Sequence, residues 1–455
     1  MMNIKRVFTL LAVSVLPFGM SAQAESVVTV PISASPKVTI RSEIASPIVL
    51  ENVQDKNYLK VSLVGFPLEI KKRSPINLAL VIDRSTSMSG ERIERARDAA
   101  IMAVNMLESD DTLSIVAYDS NVEVVVPATK VKNKPQLEKI IRQHIKPRGM
   151  TALFAGVSKG IDQVSKHLDK EQVNRIILLS DGQANVGPTS NSELAGLAKM
   201  AAKKGVAITT LGIGNGYNED LMTAIAGYSD GNHAFVEKSS DLEKTFAREF
   251  NDVMSVVAQD VEVIIRTADE VRPVRLLGRD GVIKGNTVTV KLNQLYANQE
   301  KYVMLEVIPA KGKRSESKPL AEVSVSYDNM MTKNKESHQE ELAVSYTHST
   351  EDAKKAVVEE VLVDFAIQEA AVQNEQAIKL MDEGRMDDAK AVLDRSAAGF
   401  SHLPVQSEAM KQKVEENARI NKQMGERIIS ADKAVSRKEL KAQNYDVQMQ
   451  KSSSK

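Results

Sequence analysis

The chain has 455 residues, enough for two to four domains. Its 60 Lys and Arg balance its 60 Asp and Glu, so no basic excess marks a nucleic-acid or polyanion binder. Cys and Trp are absent and aromatics make up 4%, which excludes disulfide staples and leaves little for an aromatic platform that stacks bases or sugars.

The first segment reads as a signal peptide over residues 1–24. Lys5 and Arg6 form its charged region, residues 7–20 are mostly apolar, and Ala22-Gln23-Ala24 fits the small-x-small cleavage rule. The apolar stretch is short for a membrane span, which needs about 20 residues. The mature chain is then expected to start at Glu25. Residues 25–74 alternate apolar and polar, as in Val27-Val28-Thr29-Val30-Pro31-Ile32 and Tyr58-Leu59-Lys60-Val61-Ser62-Leu63-Val64. This period of two predicts strands, with a turn at Asp55-Lys56-Asn57.

Residues 75–255 alternate strand and helix patterns. The run Asn77-Leu78-Ala79-Leu80-Val81-Ile82 predicts a buried parallel strand. Asp83-Arg84-Ser85-Thr86-Ser87 follows it, so a carboxylate and hydroxyls sit where open α/β sheets bind ligands. Ile93, Ala96, Ala100, Ala103 and Leu107 trace one apolar helical stripe. Residues 111–118 and 122–126 read as a hairpin with an antiparallel edge strand. Helices are predicted over 151–168, 192–203, 219–226 and 241–254, and strands over 206–212 and 233–236. Gly149-Met150-Thr151 places a hydroxyl before a helix, and Ile176-Ile177-Leu178-Leu179-Ser180-Asp181-Gly182 places a carboxylate at a strand end. The alternation predicts a doubly wound α/β sheet.

Residues 256–347 return to strand patterns punctuated by Gly278, Asp280-Gly281 and Gly285-Asn286, which predicts an antiparallel β-sandwich. The strands of 25–74 flank the α/β segment on its other side and are candidates to complete that sandwich. Residues 348–436 read as a helical module. A start signal stands at Ser349-Thr350-Glu351-Asp352, Gly384 separates two helices, and a further helix covers about 406–430. The Gly-centred hairpin resembles a single tetratricopeptide-type unit. Residues 437–455, rich in Lys, Gln and Ser, read as a disordered tail.

Asp83, Ser85, Ser87, Thr151 and Asp181 form the one strong constellation. Their order and context resemble the von Willebrand factor A domain and its metal-ion-dependent adhesion site. The family pattern is Asp-x-Ser-x-Ser, then a loop Thr, then an Asp that ends a later strand. Asp111-Thr112-Leu113-Ser114-Ile115-Val116-Ala117-Tyr118 and Ile208-Thr209-Thr210-Leu211-Gly212-Ile213-Gly214 resemble the family too. Met150 departs from it, since many relatives carry Gly or Asn before the Thr. The flanking modules look similar to multi-domain relatives of bacterial and inter-alpha-trypsin-inhibitor type.

The five donors are hydroxyl and carboxylate oxygens, which suit Mg²⁺, Mn²⁺ or Ca²⁺ and not the softer metals. The resemblance implies that Ser85, Ser87 and Thr151 ligate directly, that Asp83 and Asp181 act partly through water, and that an exposed Asp or Glu of a partner protein fills an open position. The bland reading is that these Ser and Thr only cap helices and turns. The six His are scattered, and no zinc-protease, phosphate-loop or nucleophile-elbow motif is present. A metal-dependent hydrolase would need a base beside the metal, for which Asp119 is the free candidate; Asp119 equally suits a turn. Gly212-x-Gly214-x-Gly216 reads as packing before nucleotide binding. The expectation is a non-enzymatic, metal-dependent protein-binding module, periplasmic or secreted. A hydrolase and a scaffold with a vestigial metal site are the alternatives.

Overall fold

The computed structural model describes residues 36–451. The expected leader, its cleavage site and the strand at 27–32 lie outside these residues. Three strands come first: β1 (Thr39–Ile44), β2 (Ile48–Leu50) and β3 (Asn57–Val64). The α/β segment follows with β4 (Ile76–Asp83), α1 (Glu91–Met106), β5 (Thr112–Tyr118), β6 (Val122–Lys130), α2 (Lys134–His144) and α3 (Leu153–Ser165). It continues with β7 (Val173–Ser180), α4 (Asn191–Lys203), β8 (Ala207–Ile213), α5 (Glu219–Tyr228), β9 (His233–Val236) and α6 (Leu242–Met254).

The strand order β6-β5-β4-β7-β8-β9 is parallel except at β5–β6. The chain leaves β4 toward β5 and returns on the other side as β7, so β4 lies at the switch point of a doubly wound sheet. Both faces are covered, which is why β4 and β7 are buried throughout. Ile76, Leu78, Leu80 and Ile82 join one core with α1, α2 and α6. Ala79 and Val81 join the opposite core with α3, α4 and α5. The five residues of the predicted α1 stripe are all buried. Helix α2 has no counterpart among the elements expected from the sequence. Asn133 caps it by accepting from the Gln136 amide, and Pro135 stands in its first turn.

Seven strands follow: β10 (Val256–Thr267), β11 (Arg272–Leu277), β12 (Val282–Lys284), β13 (Thr287–Tyr296), β14 (Glu300–Ile308), β15 (Ser317–Asn329) and β16 (Lys335–Thr347). They form two sheets, β1-β3-β14-β11 and β12-β13-β10-β15-β16-β2. Leu59, Val61 and Leu305 of the first share a core with Val263, Ile265 and Val323 of the second. Strands that precede the α/β segment thus complete sheets built from strands that follow it. All pairings are antiparallel except β2 with β16.

The helices are α7 (Thr350–Lys355), α8 (Glu359–Asp382), α9 (Met386–Phe400), α10 (Glu408–Ser430) and α11 (Lys433–Gln448). Residues 437–448 correct the expectation of a disordered tail. They are most of α11, whose N-terminus Asp432 caps by accepting from the Ala434 and Val435 amides. Their polarity is matched by partners, since Arg437 and Lys438 pair with Glu219 of α5. The Tyr445 hydroxyl donates to the Gly231 carbonyl at 2.8 Å. Composition signals disorder only when charge stays unpartnered. No helix among the described residues is long and apolar enough to cross a membrane.

Candidate metal centre

The five residues arrive from three segments at the carboxyl edge of the central sheet. Asp83 is the last residue of β4, and its neighbour in register on β5 is Tyr118. Ser85 and Ser87 lie in the short turn between β4 and α1. Thr151 stands in the loop before α3, and Asp181 follows the last residue of β7. Asp83, Ser85, Thr151 and Asp181 are buried, while Ser87 is exposed. The site therefore has a dry floor and an open mouth.

A chain of short contacts joins the donors. The Ser85 amide and the Ser180 hydroxyl donate to the two Asp83 oxygens at 2.8 and 2.7 Å. Ser85 Oγ and Ser87 Oγ lie 2.9 Å apart, and Ser87 Oγ donates to Asp181 Oδ1 at 2.8 Å. Gly182 fixes where they meet. A Cβ built there would lie 3.4 Å from Thr151 Oγ1, 3.5 Å from Ser87 Oγ and 3.9 Å from Asp83 Oδ2. Hard oxygens from all three segments thus surround one small volume, which fits a divalent cation of the Mg²⁺, Mn²⁺ or Ca²⁺ kind.

Burial pushes the Asp83 carboxyl up to about 6, against the hydrogen bonds from Ser85 and Ser180, and the Asp181 charge adds to the push. A cation in the site would reverse it.

The Thr151 loop is held firmly. The Gly149 carbonyl accepts from the Thr86 amide at 3.0 Å and from the Thr86 hydroxyl at 2.9 Å. Gly149 has φ of 69°, a conformation that favours glycine. The Thr151 amide donates to Asn185 Oδ1 at 2.8 Å. Met150 is half exposed at the rim, with its amide on Ser120 Oγ.

Several members of this site carried no signal in isolation. Ser180 stands beside Asp181 in the sequence, but only its hydrogen bond to Asp83 Oδ2 makes it part of the site. Arg92 lies on α1, and its Nη1 reaches Asp181 Oδ2 at 2.6 Å and the Ser87 carbonyl at 3.1 Å. Arg84, inside the motif, is buried and pairs with Asp119 at 2.8 Å and Glu123 at 2.7 Å. Asp119 also holds Arg148 at 2.9 Å. Burial works against the Asp119 charge, but Arg148, the Asn121 amide and Arg84 outweigh it and hold the carboxyl below its usual range. This carboxylate is occupied with loop architecture.

A second acidic group, Glu300, Glu360 and Asp364, brings carboxylate oxygens within 4.8 Å of one another. The Lys60 ammonium already sits among them at 2.9, 2.9 and 2.6 Å, and Lys413 adds 2.5 Å to Asp364. It is an ion-pair cluster that joins β3 to α8. A cleft of about 940 Å³ opens between α4, α5 and α11, and none of the five donors lines it.

Comparison with known proteins points to the same segment. Residues 77–248 match the family model described as von Willebrand factor type A domain. An uncharacterized protein of Synechocystis sp. is 28% identical over 55% of this chain and 61% of its own length. Inter-alpha-trypsin inhibitor heavy chain H3 of Rattus norvegicus is 26% identical over 42% of this chain and 22% of its own length. The matched stretch thus spans well under the whole of either relative. A solved von Willebrand factor type A structure from Catenulispora acidiphila superimposes with a TM-score of 0.72 at 14% identity. It covers 91% of this chain and 97% of that one, so sandwich, α/β segment and helices recur together as one fold.

Proposed function

Starting from a chain that contains a von Willebrand factor type A domain over residues 77–248, we propose that it binds a partner protein through a divalent cation. Asp83, Ser85, Ser87, Thr151 and Asp181 would hold that cation, and a surface Asp or Glu of the partner would supply a further oxygen. The observation that carries this reading is the meeting of Thr151, Ser87 and Asp83 oxygens around Gly182, beneath an exposed Ser87. When bound, a dication supplies the positive charge that attracts and orients the partner's carboxylate.

The chain's own residues build the rest. Ser180 and the Ser85 amide aim both Asp83 oxygens, so the carboxylate enters the site already oriented. Ser87 couples the first segment to Asp181. Thr86 locks the Thr151 loop against the same turn. The two carboxylates match the charge of a dication, and the neutral hydroxyl donors leave it a coordination position that an oxygen of the partner's carboxylate can fill. Mg²⁺ is the expected ion, with Mn²⁺ or Ca²⁺ as substitutes. The reading is of a binding protein and not an enzyme, since Asp119, the candidate base for a hydrolase, is engaged by Arg84 and Arg148. Export to the periplasm or beyond is part of the proposal and rests on residues 1–24 alone. An intact mass that begins at Glu25 in the exported fraction would support it.

Isothermal titration with Mg²⁺ and Mn²⁺ tests the site directly. Wild type should bind one dication, and Thr151→Ala should bind it much more weakly. Capture of partners from an envelope extract should then fall with chelator and with Thr151→Ala alike. Equal capture in all four conditions would move the binding surface away from the metal site and favour the scaffold reading. Wild-type protein that binds no dication at millimolar metal would falsify the proposal.

A further inference from the structure

Arg92 stands in an unusual place. It lies in the first turn of α1, where the helix dipole disfavours a cation. Its guanidinium nonetheless reaches Asp181 Oδ2 at 2.6 Å, and it also bonds the Ser87 carbonyl. Asp181 has no exposed side-chain surface, while Arg92 keeps about a third of its own. The glycine cluster makes room for it. A Cβ at Gly214 would lie 3.1 Å from Arg92 Nη2, and Gly214 has φ of 68°. A Cβ at Gly216 would lie 2.8 Å from the Asp181 carbonyl. A side chain at Gly214 would press on the Arg92 guanidinium, and one at Gly216 on the Asp181 backbone.

We infer that Arg92 is a resident cation that competes with the divalent metal for Asp181 and so weakens the metal site. The inference rests on the metal reading above. Asp83 and Asp181 carry two negative charges, which a dication alone would cancel. With Arg92 kept in place, the loaded site retains one positive charge. That surplus calls for an anion from outside, which the partner's carboxylate provides. Arg92 thus lowers the hold on free metal and raises the dependence on an acidic ligand. It is a positioning residue, because it acts through Asp181 and not on the partner.

The test uses the full chain and the metal alone. Mn²⁺ and Mg²⁺ affinities are measured for wild type, Arg92→Gln, Arg92→Lys and Thr151→Ala. Removing one positive charge beside a dication in a half-exposed site should tighten metal binding by about tenfold in Arg92→Gln. Arg92→Lys keeps the charge and should stay within about threefold of wild type. Without metal, Arg92→Gln should melt lower than wild type, because buried Asp181 loses its cation. With saturating Mg²⁺ that difference should shrink or reverse. If Thr151→Ala abolishes binding while Arg92→Gln binds metal no tighter than wild type, the inference is wrong and the metal site stands. If wild type binds no metal, both fall together.

Discussion

Single side chains decide how the candidate site should be probed. Thr151 Oγ1 points into the shared volume, so Thr151→Ala should remove one candidate ligand and leave the fold intact. Asp83 is a poorer probe than its place at a strand end suggests. It accepts from a buried amide and from buried Ser180. Asp83→Ala should cost about 1–3 kcal/mol for each donor left unsatisfied, besides the metal. Chemical denaturation of the metal-free variant would show this loss. A second residue reports on the interior. Burial pushes the Lys301 ammonium down to about 8, against the attraction of Asp230 and with help from Arg279 and Arg175. The unfolded chain therefore holds more protons between about pH 8 and 10.5, and this group's contribution to stability rises across that window. Below it the folded protein carries the ammonium at full cost. Lys301→Met should be more stable than wild type at pH 7, by about 1–3 kcal/mol, with Asp230 still held by Arg279 at 2.9 Å. The advantage should shrink above about pH 8 and vanish above about pH 10.5; a constant advantage across the range would reject this account.

Among the elements, α11 shows where composition misleads. Its residues are as polar as a tail, yet Lys438 is buried and Arg437 bridges Glu219, Asp220 and Asp382. Glu219→Ala would leave Lys438 buried without that partner. The expected cost is about 3–5 kcal/mol. Hydrogen exchange should show residues 433–448 opening first, while β4 and β7 stay protected. Equal protection of α11 in both proteins would mean that apolar packing around Leu440 and Tyr445, not charge, holds the helix. The helices of the α/β segment other than α2 are legible because each carries an apolar stripe. Helix α2 buries only Leu137 and Ile141, too few for periodicity to reveal. Its cap Asn133 and Pro135 were the available signal.

At the scale of the whole molecule, the α/β segment interrupts a β-sandwich. β3 lies between β1 and β14, so the strands on either side of the insertion need each other. A chain that starts at residue 75 should have a destabilised sandwich, because one sheet would keep only β14 and β11 and lose Leu59, Val61 and Leu63 from the shared core. The α/β segment also leans on the sandwich. Buried Arg175 donates to Gln294 at 2.7 Å and to the Tyr296 hydroxyl at 2.8 Å. Tyr296 and Met330 belong to the same apolar core as Phe246 and Phe250. An excised fragment 75–255 should therefore be less stable than the same segment in the full chain, because the core it shares with Tyr296 and Met330 would be opened to water. Urea denaturation of both would measure the gap. A fragment as stable as the full chain would show that the contact is incidental.

The sequence by itself determined the doubly wound sheet and the five oxygen donors at its edge. Both follow from local pattern. A buried parallel strand must be apolar along its length, and a ligand loop must begin where the strand ends. Asp83, Ser85 and Ser87 are neighbours in the chain, and Asp181 closes a run of the same kind. The tertiary structure alone decided the charge partners. Arg92 meets Asp181, Lys60 meets Asp364 and Lys438 meets Glu219 across stretches of chain that no periodicity spans. A charged residue bears the same mark in the sequence whether it is solvated or buried against its opposite. Only packing brings the two together, and here it turned an apparent tail into a clamp and placed Arg92 beside the candidate metal site.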